Sequence, residues 1–494
     1  MPIDVQTRYS PGWWMDRLFT KLYQRRRQQR LRLLADIYCG NPPLPIGAEN
    51  VREMYIAFQK LARSNYAQLA VAAVSERMTP VGFRTAADGG AVGDKLAAQI
   101  WKRSGMPVTA ADVHDMMLNL GEAYVIVGPV DEETGAPVVT AEDPRTIIGE
   151  PHPVNPMRLR AALKVVRDDI EGEDRAYLYL PGEVWVARRT ATYAARSLGS
   201  IGVTWSPRAW DWAPERSGAL GFNRLPVVRF LNKDQMGEYE AHQDLLARIN
   251  HQTLQRLVIA TMQAFRQRAV KGLDDVDEET GEEIDYSDLF VMDPAALWQL
   301  PAGAEMWESA TVDLRPILDG VKADVQEFGA VTRTPMTMLQ PSGVNQSAEG
   351  ASLQREGLIF KTQDRIDRTS LPWSQVMALS FLQAGEPARA DLSRLETLWA
   401  SPARLSLSER ADAASKAGND IPRRIRLIDI WGYTPERADE LESEWDEQEL
   451  REAQIAAAAQ TPDPTAPAPA APPVLPSLDG LAAPAVTDEG EGLI

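Results

Sequence analysis

The chain has 494 residues, of which 44% are apolar and 25% charged, and its net charge is −18. That is enough chain for a sizeable hydrophobic core, in the proportions of an ordinary soluble protein. The acidity argues against a protein that grips DNA by neutralising many phosphates, though not against a wall past which DNA slides.

Cys39 is the single cysteine, so intrachain disulfides and multi-thiolate zinc sites are excluded. His114, His152, His242 and His251 are scattered, with no HExxH, and no metal or cofactor is expected. No run approaches the roughly 18 apolar residues of a membrane span. The N-terminal residues lack the charged-then-apolar pattern of a secretory signal. Synthesis in a cytoplasm and no membrane partner are the expectations.

Taken in order, residues from Trp13 to Tyr38 read as one amphipathic helix. Leu18, Leu22, Leu31, Leu34 and Ile37 form a stripe, and Arg25, Arg26, Arg27, Arg30 and Arg32 crowd the other side. Such an arginine run suits phosphate contact or, more ordinarily, a solvated face or acidic neighbours. Pro42 and Pro43 stop the helix. Further helices are predicted over 64–78, 92–104 and 109–120, the last starting at Thr109 with capping-box spacing to Asp112.

Short β-rich segments follow at 123–127, 161–167, 175–180, 184–187 and 226–231, so residues 40–235 read as a mixed α+β domain. From Glu238 a helical period runs uninterrupted to Gly272, about 30 residues and so roughly 45 Å. The segment 272–285 is acidic and turn-rich but lacks EF-hand spacing. Strands are predicted at 289–292 and 296–300, then a returning helix over 313–333 that Thr334-Pro335 ends. Residues 336–347 are uncharged and carry Pro, Gly, Ser and Asn, a flexible-loop composition. A long helix over 349–383 is expected to kink at Pro372, and a strand follows at 395–399. Residues 406–456 read as a helical unit, and beyond Gln460 the Ala/Pro-rich acidic tail reads as disordered.

Catalytic motifs are missing. No GxxxxGK[ST] string occurs, Gly89, Gly90 and Gly93 stand at the wrong spacing from Lys95, and there is no GxSxG. No catalytic residue is assigned and the chain is not expected to be an enzyme.

The order of α+β domain, long helix, acidic insert, returning helix, polar loop and long helix resembles the portal proteins of long-tailed, siphovirus-type bacteriophages, especially those infecting actinobacteria. Local sequence agrees over Leu34-Ala-Asp-Ile-Tyr-Cys-Gly-Asn-Pro-Pro-Leu44, Asn65-Tyr66, Val71-Ala-Ala-Val-Ser-Glu-Arg-Met78 and Gly82-Phe83. The resemblance implies an α+β, mainly helical portal fold: wing (1–235 and 349–400), stem helices (236–271 and 312–334), clip (272–311), tunnel loop (335–348) and crown (401–456). It places Thr337, Met338, Gln340, Ser342, Asn345 and Gln346 at the DNA channel. Asp274, Asp275, Asp277, Glu278 and Glu279 would be the adaptor-docking acids of the clip. It further implies a ring of about twelve copies at one capsid vertex of the virion. Double-stranded DNA would pass through without sequence specificity, and terminase, head-completion or adaptor proteins, major capsid and scaffold proteins would be the partners. The competing expectation is a phage head or adaptor protein without a channel.

Overall fold

The computed structural model describes residues 3–45, 53–87, 93–190, 206–264, 268–273, 281, 303–308, 310–340, 348–403, 407–418 and 420–460. Two compact units divide the chain, residues 1–438 and 439–494.

The first predicted helix is two. Helix α1 (Pro11–Leu22) starts where Ser10 Oγ accepts from Trp13 N, with Pro11 pre-setting the first turn. The chain turns at Tyr23-Gln24, and α2 (Arg25–Tyr38) follows at once. Gln28 Nε2 donates to Leu22 O at 2.8 Å and to Arg145 O at 3.0 Å, so a side chain takes a carbonyl that a continuous helix would have bonded. The apolar stripe divides with it: Leu18 and Leu22 join one core, Leu31, Leu34 and Ile37 another.

Helices α3 (Glu53–Leu61) and α4 (Tyr66–Ser75) and strand β1 (Pro80–Arg84) come next. Helix α5 (Lys95–Arg103) is capped by Asp94, whose Oδ1 accepts from Leu96 N and Ala97 N. Helix α6 (Met106–Leu120) begins one turn before the predicted Thr109, because left-handed Gly105 and Pro107 start it instead.

The β region holds β2 (Glu122–Val130), β3 (Pro137–Glu142), β4 (Ile147–Pro151), β5 (Leu159–Asp168), β6 (Glu173–Leu180), β7 (Glu183–Thr190), β8 (Asp211–Trp212), β9 (Gly218–Ala219) and β10 (Val227–Leu231). All pairings are antiparallel. One sheet has the order β10-β2-β3; the other runs β4-β5-β6-β7-β8, with β9 also on β7. Met15, Leu18, Phe19 and Leu22 of α1 bury against Leu163 and Leu178 of the larger sheet and Trp210, just before β8. Each such side chain contributes about 1.5–3 kcal/mol. Tyr124, Ile126 and Val227 of the smaller sheet meet Ile147, Ala162 and Tyr179 of the larger.

Beyond the sheets come α7 (Gln243–Ala264), β11 (Arg268–Lys271), β12 (Glu305–Glu308), α8 (Arg315–Thr332), α9 (Met336–Leu339), α10 (Ala348–Gln383), β13 (Glu396–Trp399), α11 (Leu407–Ala417), α12 (Arg423–Ile425) and α13 (Pro435–Gln460). Strand β13 pairs antiparallel with β1. Helix α10 continues through Pro372. Its Trp373, Val376, Met377 and Phe381 centre the main core, shared with α4, α6, β2 and β10. Helix α7 is shorter than its sequence pattern: 268–271 are strand, because they pair with 305–308. The strands predicted at 289–292 and 296–300, and the tail beyond Gln460, lie outside the described residues.

Candidate functional site: a helical hairpin and its buried anchor

Helices α7 and α8 lie side by side and antiparallel. Arg248 bridges Asp324 at 2.8 Å and Glu327 at 2.5 Å, while Gln263 Nε2 donates to Val312 O at 2.8 Å. Partner numbers fall on one helix as they rise on the other, and β11–β12 extends that register, Arg268 facing Glu308 and Lys271 facing Glu305. Burial declines along the hairpin. Leu246, Ile249, Leu254, Val325 and Phe328 are buried. Leu257, Val258 and Ile259 are only half-buried, and Val312, Leu318, Met306 and Trp307 are exposed by 36–52%.

The two helices are tied at their base to α10. Glu238, just before α7, is buried with one carboxylate oxygen 2.6 Å from Lys361 Nζ and the other 2.6 Å from Arg365 Nε. Lys361 Nζ also donates to Thr332 O, the last residue of α8, at 2.8 Å. Burial pushes the Glu238 carboxyl up, but Lys361 and Arg365 outweigh it and hold it below the usual glutamate value. Burial pushes the Lys361 ammonium down against the pull of Glu238, and the three side chains form a buried polar strut joining the start of α7, the end of α8 and the middle of α10.

Past α8 the chain reverses at Arg333, in the left-handed region with φ 54°. Thr334 N donates back to Gly329 O at 2.8 Å. Helix α9 then folds against α8 so closely that a Cβ on Gly329 would lie 2.8 Å from Leu339 Cδ1 and 2.9 Å from Met336 Sδ. This corrects the flexible-loop expectation over 336–339: Leu339 is buried, and its insertion into the core orders the turn. Of the residues expected at the channel, Thr337 is exposed, whereas Met338 and Gln340 are half-buried, Met338 against the main core. Ser342, Asn345 and Gln346 lie outside the described residues, as do Asp274, Asp275, Asp277, Glu278 and Glu279.

Glu238, Lys361, Arg365 and Thr332 were not singled out in the sequence. The signal was present: Lys361, Thr362, Arg365 and Thr369 alternate with Leu358, Ile366 and Trp373 on one buried stripe of α10. Its meaning depended on knowing which element faces it. The arginine run resolves towards acidic neighbours: Arg27 pairs with Glu122 and Arg30 with Glu240.

Two cavities flank these elements. One of about 500 Å³ lies between Pro42–Pro45 and the base of α7; another of about 430 Å³ lies between Arg158, Arg224, Arg229 and the Leu371–Leu379 part of α10. Among the described residues no group of three or more His, Cys, Asp or Glu is arranged to hold a metal, and no helix is long and apolar enough to cross a membrane.

The family model described as phage portal protein, SPP1 Gp6-like, matches residues 25–454. The chain belongs to this portal family. The portal protein of Mycobacterium phage L5 is 24% identical over 436 residues, 82% of this chain and 82% of that protein. That of Mycobacterium phage D29 is 24% identical over 416 residues, 79% of this chain and 80% of that one. A chain from the neck of a native gene transfer agent particle, computed with C12 symmetry, overlays with a TM-score of 0.41 at 10% identity. It covers 81% of this chain and 97% of its own length, and the family assignment does not depend on it. As a portal-family member, the chain is a structural protein of the virion at the portal vertex, where phage DNA is packaged and ejected.

Proposed function

We propose that copies of this chain close into a ring of about twelve around a DNA channel, with the α7–α8 hairpins as its stem. The observation that carries this is the hairpin itself: its base is buried in its own chain, while its tip keeps Val312 and Leu318 half exposed. A neighbouring hairpin covers such a stripe, and a contact repeated by rotation closes a ring. The insert at 272–311 is then the clip, with Asp274, Asp275, Asp277, Glu278 and Glu279 offered first to terminase and later to a head-completion protein. Thr337, exposed on α9, and the uncharged residues 340–347 touch the phosphate backbone without holding it. In this arrangement the chain guides DNA passively, and the work comes from a separate motor docked at the clip. The missing phosphate-cradling string supports that division.

Negative-stain electron microscopy with mass determination on one sample tests the proposal. Rings with a central hole and a mass near twelve subunits are expected. A chain that forms no ring at any concentration points to an adaptor without a channel, and nucleotide hydrolysis by the pure protein contradicts passive guidance.

A further inference from the structure

The segment before the family-matched residues 25–454 carries a surface that the portal assignment does not use. Tyr9, Trp13 and Trp14 form a three-ring cluster, with centroids 5.2 Å apart for Tyr9–Trp13 and 5.0 Å for Trp13–Trp14. A guanidinium lies over each ring: Arg8 at 4.9 Å from Tyr9, Arg17 at 4.2 Å from Trp13 and Arg160 at 5.3 Å from Trp14. Arg160 comes from the start of β5, so the cluster is assembled by the fold and not by local sequence alone. Among the described residues, none of the three arginines is ion-paired with a carboxylate.

The cluster is held in place. Tyr9 has φ 66°, a left-handed conformation that a non-glycine residue adopts only under constraint. A turn at Asp4 holds it: the carboxylate accepts from Gln6 N at 2.9 Å and from Thr7 Oγ1 at 2.6 Å, and Ser10 Oγ donates to Asp4 O at 3.1 Å.

Charge sets the partner. Residues 3–32 carry eight Lys and Arg against two Asp, in a chain whose net charge is −18. Lys21, Arg27 and Arg30 are ion-paired with Glu150, Glu122 and Glu240, and Arg8 and Arg17, among the described residues, are not. Stacked on a ring, a guanidinium keeps its N–H edge free for a phosphate or carboxylate fork. Ring geometry disfavours single-stranded bases, because Trp13 and Trp14 are edge-on at 85° and each of the three rings already bears an arginine. A peptide would need side-chain pockets, and both cavities described above are lined by other residues. We infer that Arg8, Arg17 and Arg160, braced on Tyr9, Trp13 and Trp14, form a sequence-independent contact for the phosphate backbone of double-stranded DNA outside the channel. The inference rests on the portal assignment only for DNA being the neighbouring polyanion.

The test uses the full chain and a small covalently closed duplex circle, which cannot thread a ring. Binding is followed across salt concentration for the wild type, for R8A/R17A/R160A and for R8K/R17K/R160K. Each phosphate contact contributes about 0.9 to the slope of log affinity against log salt, so the alanine triple should lose about 2–3 from the slope and at least about tenfold in affinity at low salt. The lysine triple should retain most of the slope. An unchanged slope in the alanine triple, with its melting temperature also unchanged, overturns the inference. So does equal displacement of the circle by poly-glutamate, which would mark a surface for acidic protein. Ring formation by the same variants reports separately on the ring proposal.

Discussion

At the base of the α7–α8 hairpin the charges of Glu238, Lys361 and Arg365 are buried and matched within the chain, whereas towards the tip Val312, Leu318, Met306 and Trp307 stand partly in solvent. The same two helices are completed internally at one end and left incomplete at the other. Their base therefore belongs to the folding of one subunit, and in the proposed ring their tip is what is left for assembly. Long helices whose stripes are only partly covered are stabilised mainly by what packs on them, so stability and assembly should respond to different residues.

The largest effect is expected at the base. In Glu238→Ala the Lys361 charge stays buried without a carboxylate and Arg365 keeps only Asp364, which should cost about 3–5 kcal/mol of unfolding free energy, read by urea denaturation of the unassembled chain. A loss below about 1 kcal/mol would mean that water replaces the carboxylate and that the base is no more self-sufficient than the tip. Because the Glu238 carboxyl is held below its ordinary 4.5, its contribution is complete above that pH and is lost as pH falls through the lowered value.

A second acid effect comes from the main core and occupies a higher pH window. Trp373 Nε1 donates to His114 Nε2 at 2.9 Å, which requires an unprotonated nitrogen there, and burial pushes the ring's pKa down to about 3. The unfolded chain takes up this proton near pH 6.5 and the folded chain does not, so stability falls with decreasing pH by about 1.4 kcal/mol per unit. Between pH 6.5 and 4.5 that amounts to about 2 kcal/mol, before Glu238 contributes. His114→Gln should flatten this window; a slope that survives the substitution would assign it elsewhere.

Gly329→Ala should come next, at about 1–3 kcal/mol, since the new methyl meets Leu339, Met336 and the Thr334 carbonyl at 2.8–3.1 Å. Protease cutting after α9 should rise with it. If the variant is as stable as the wild type and α9 stays protected, the turn is looser on α8 than its geometry implies.

How much of this was legible in the sequence follows the same division. The order of long helix and returning helix could be read because it depends on local period, with Pro335 close behind the second helix. The break at Tyr23-Gln24 could not, since neither residue is a helix breaker and the cause, Gln28 reaching Leu22 O and Arg145 O, is tertiary. Residues 268–271 continued a helical pattern without interruption, and only pairing with Glu305–Glu308 makes them strand. The resemblance places Thr337, Met338 and Gln340 at the channel, but Leu339 is buried and Met338 packs against the core. Nothing local in the helix marks Lys361 and Arg365 as partners of Glu238, which comes from a distant segment.

The smallest effect on stability, and the sharpest test of the comparison, belongs to the tip. Leu318→Ser and Val312→Ser remove apolar surface that is 36% and 49% exposed, so the unassembled chain should unfold within about 0.5 kcal/mol of wild type. Ring formation should nevertheless weaken, because in a ring each lost contact recurs at every interface and the penalties accumulate around the closure. Sedimentation of wild type and the double variant at matched concentrations measures this. Fewer rings at unchanged unfolding free energy place the tip in assembly. Equal ring yield would free these side chains from the interface, and the hairpins would have to meet through another face, for which Leu257 and Ile259 of α7 are the half-buried candidates.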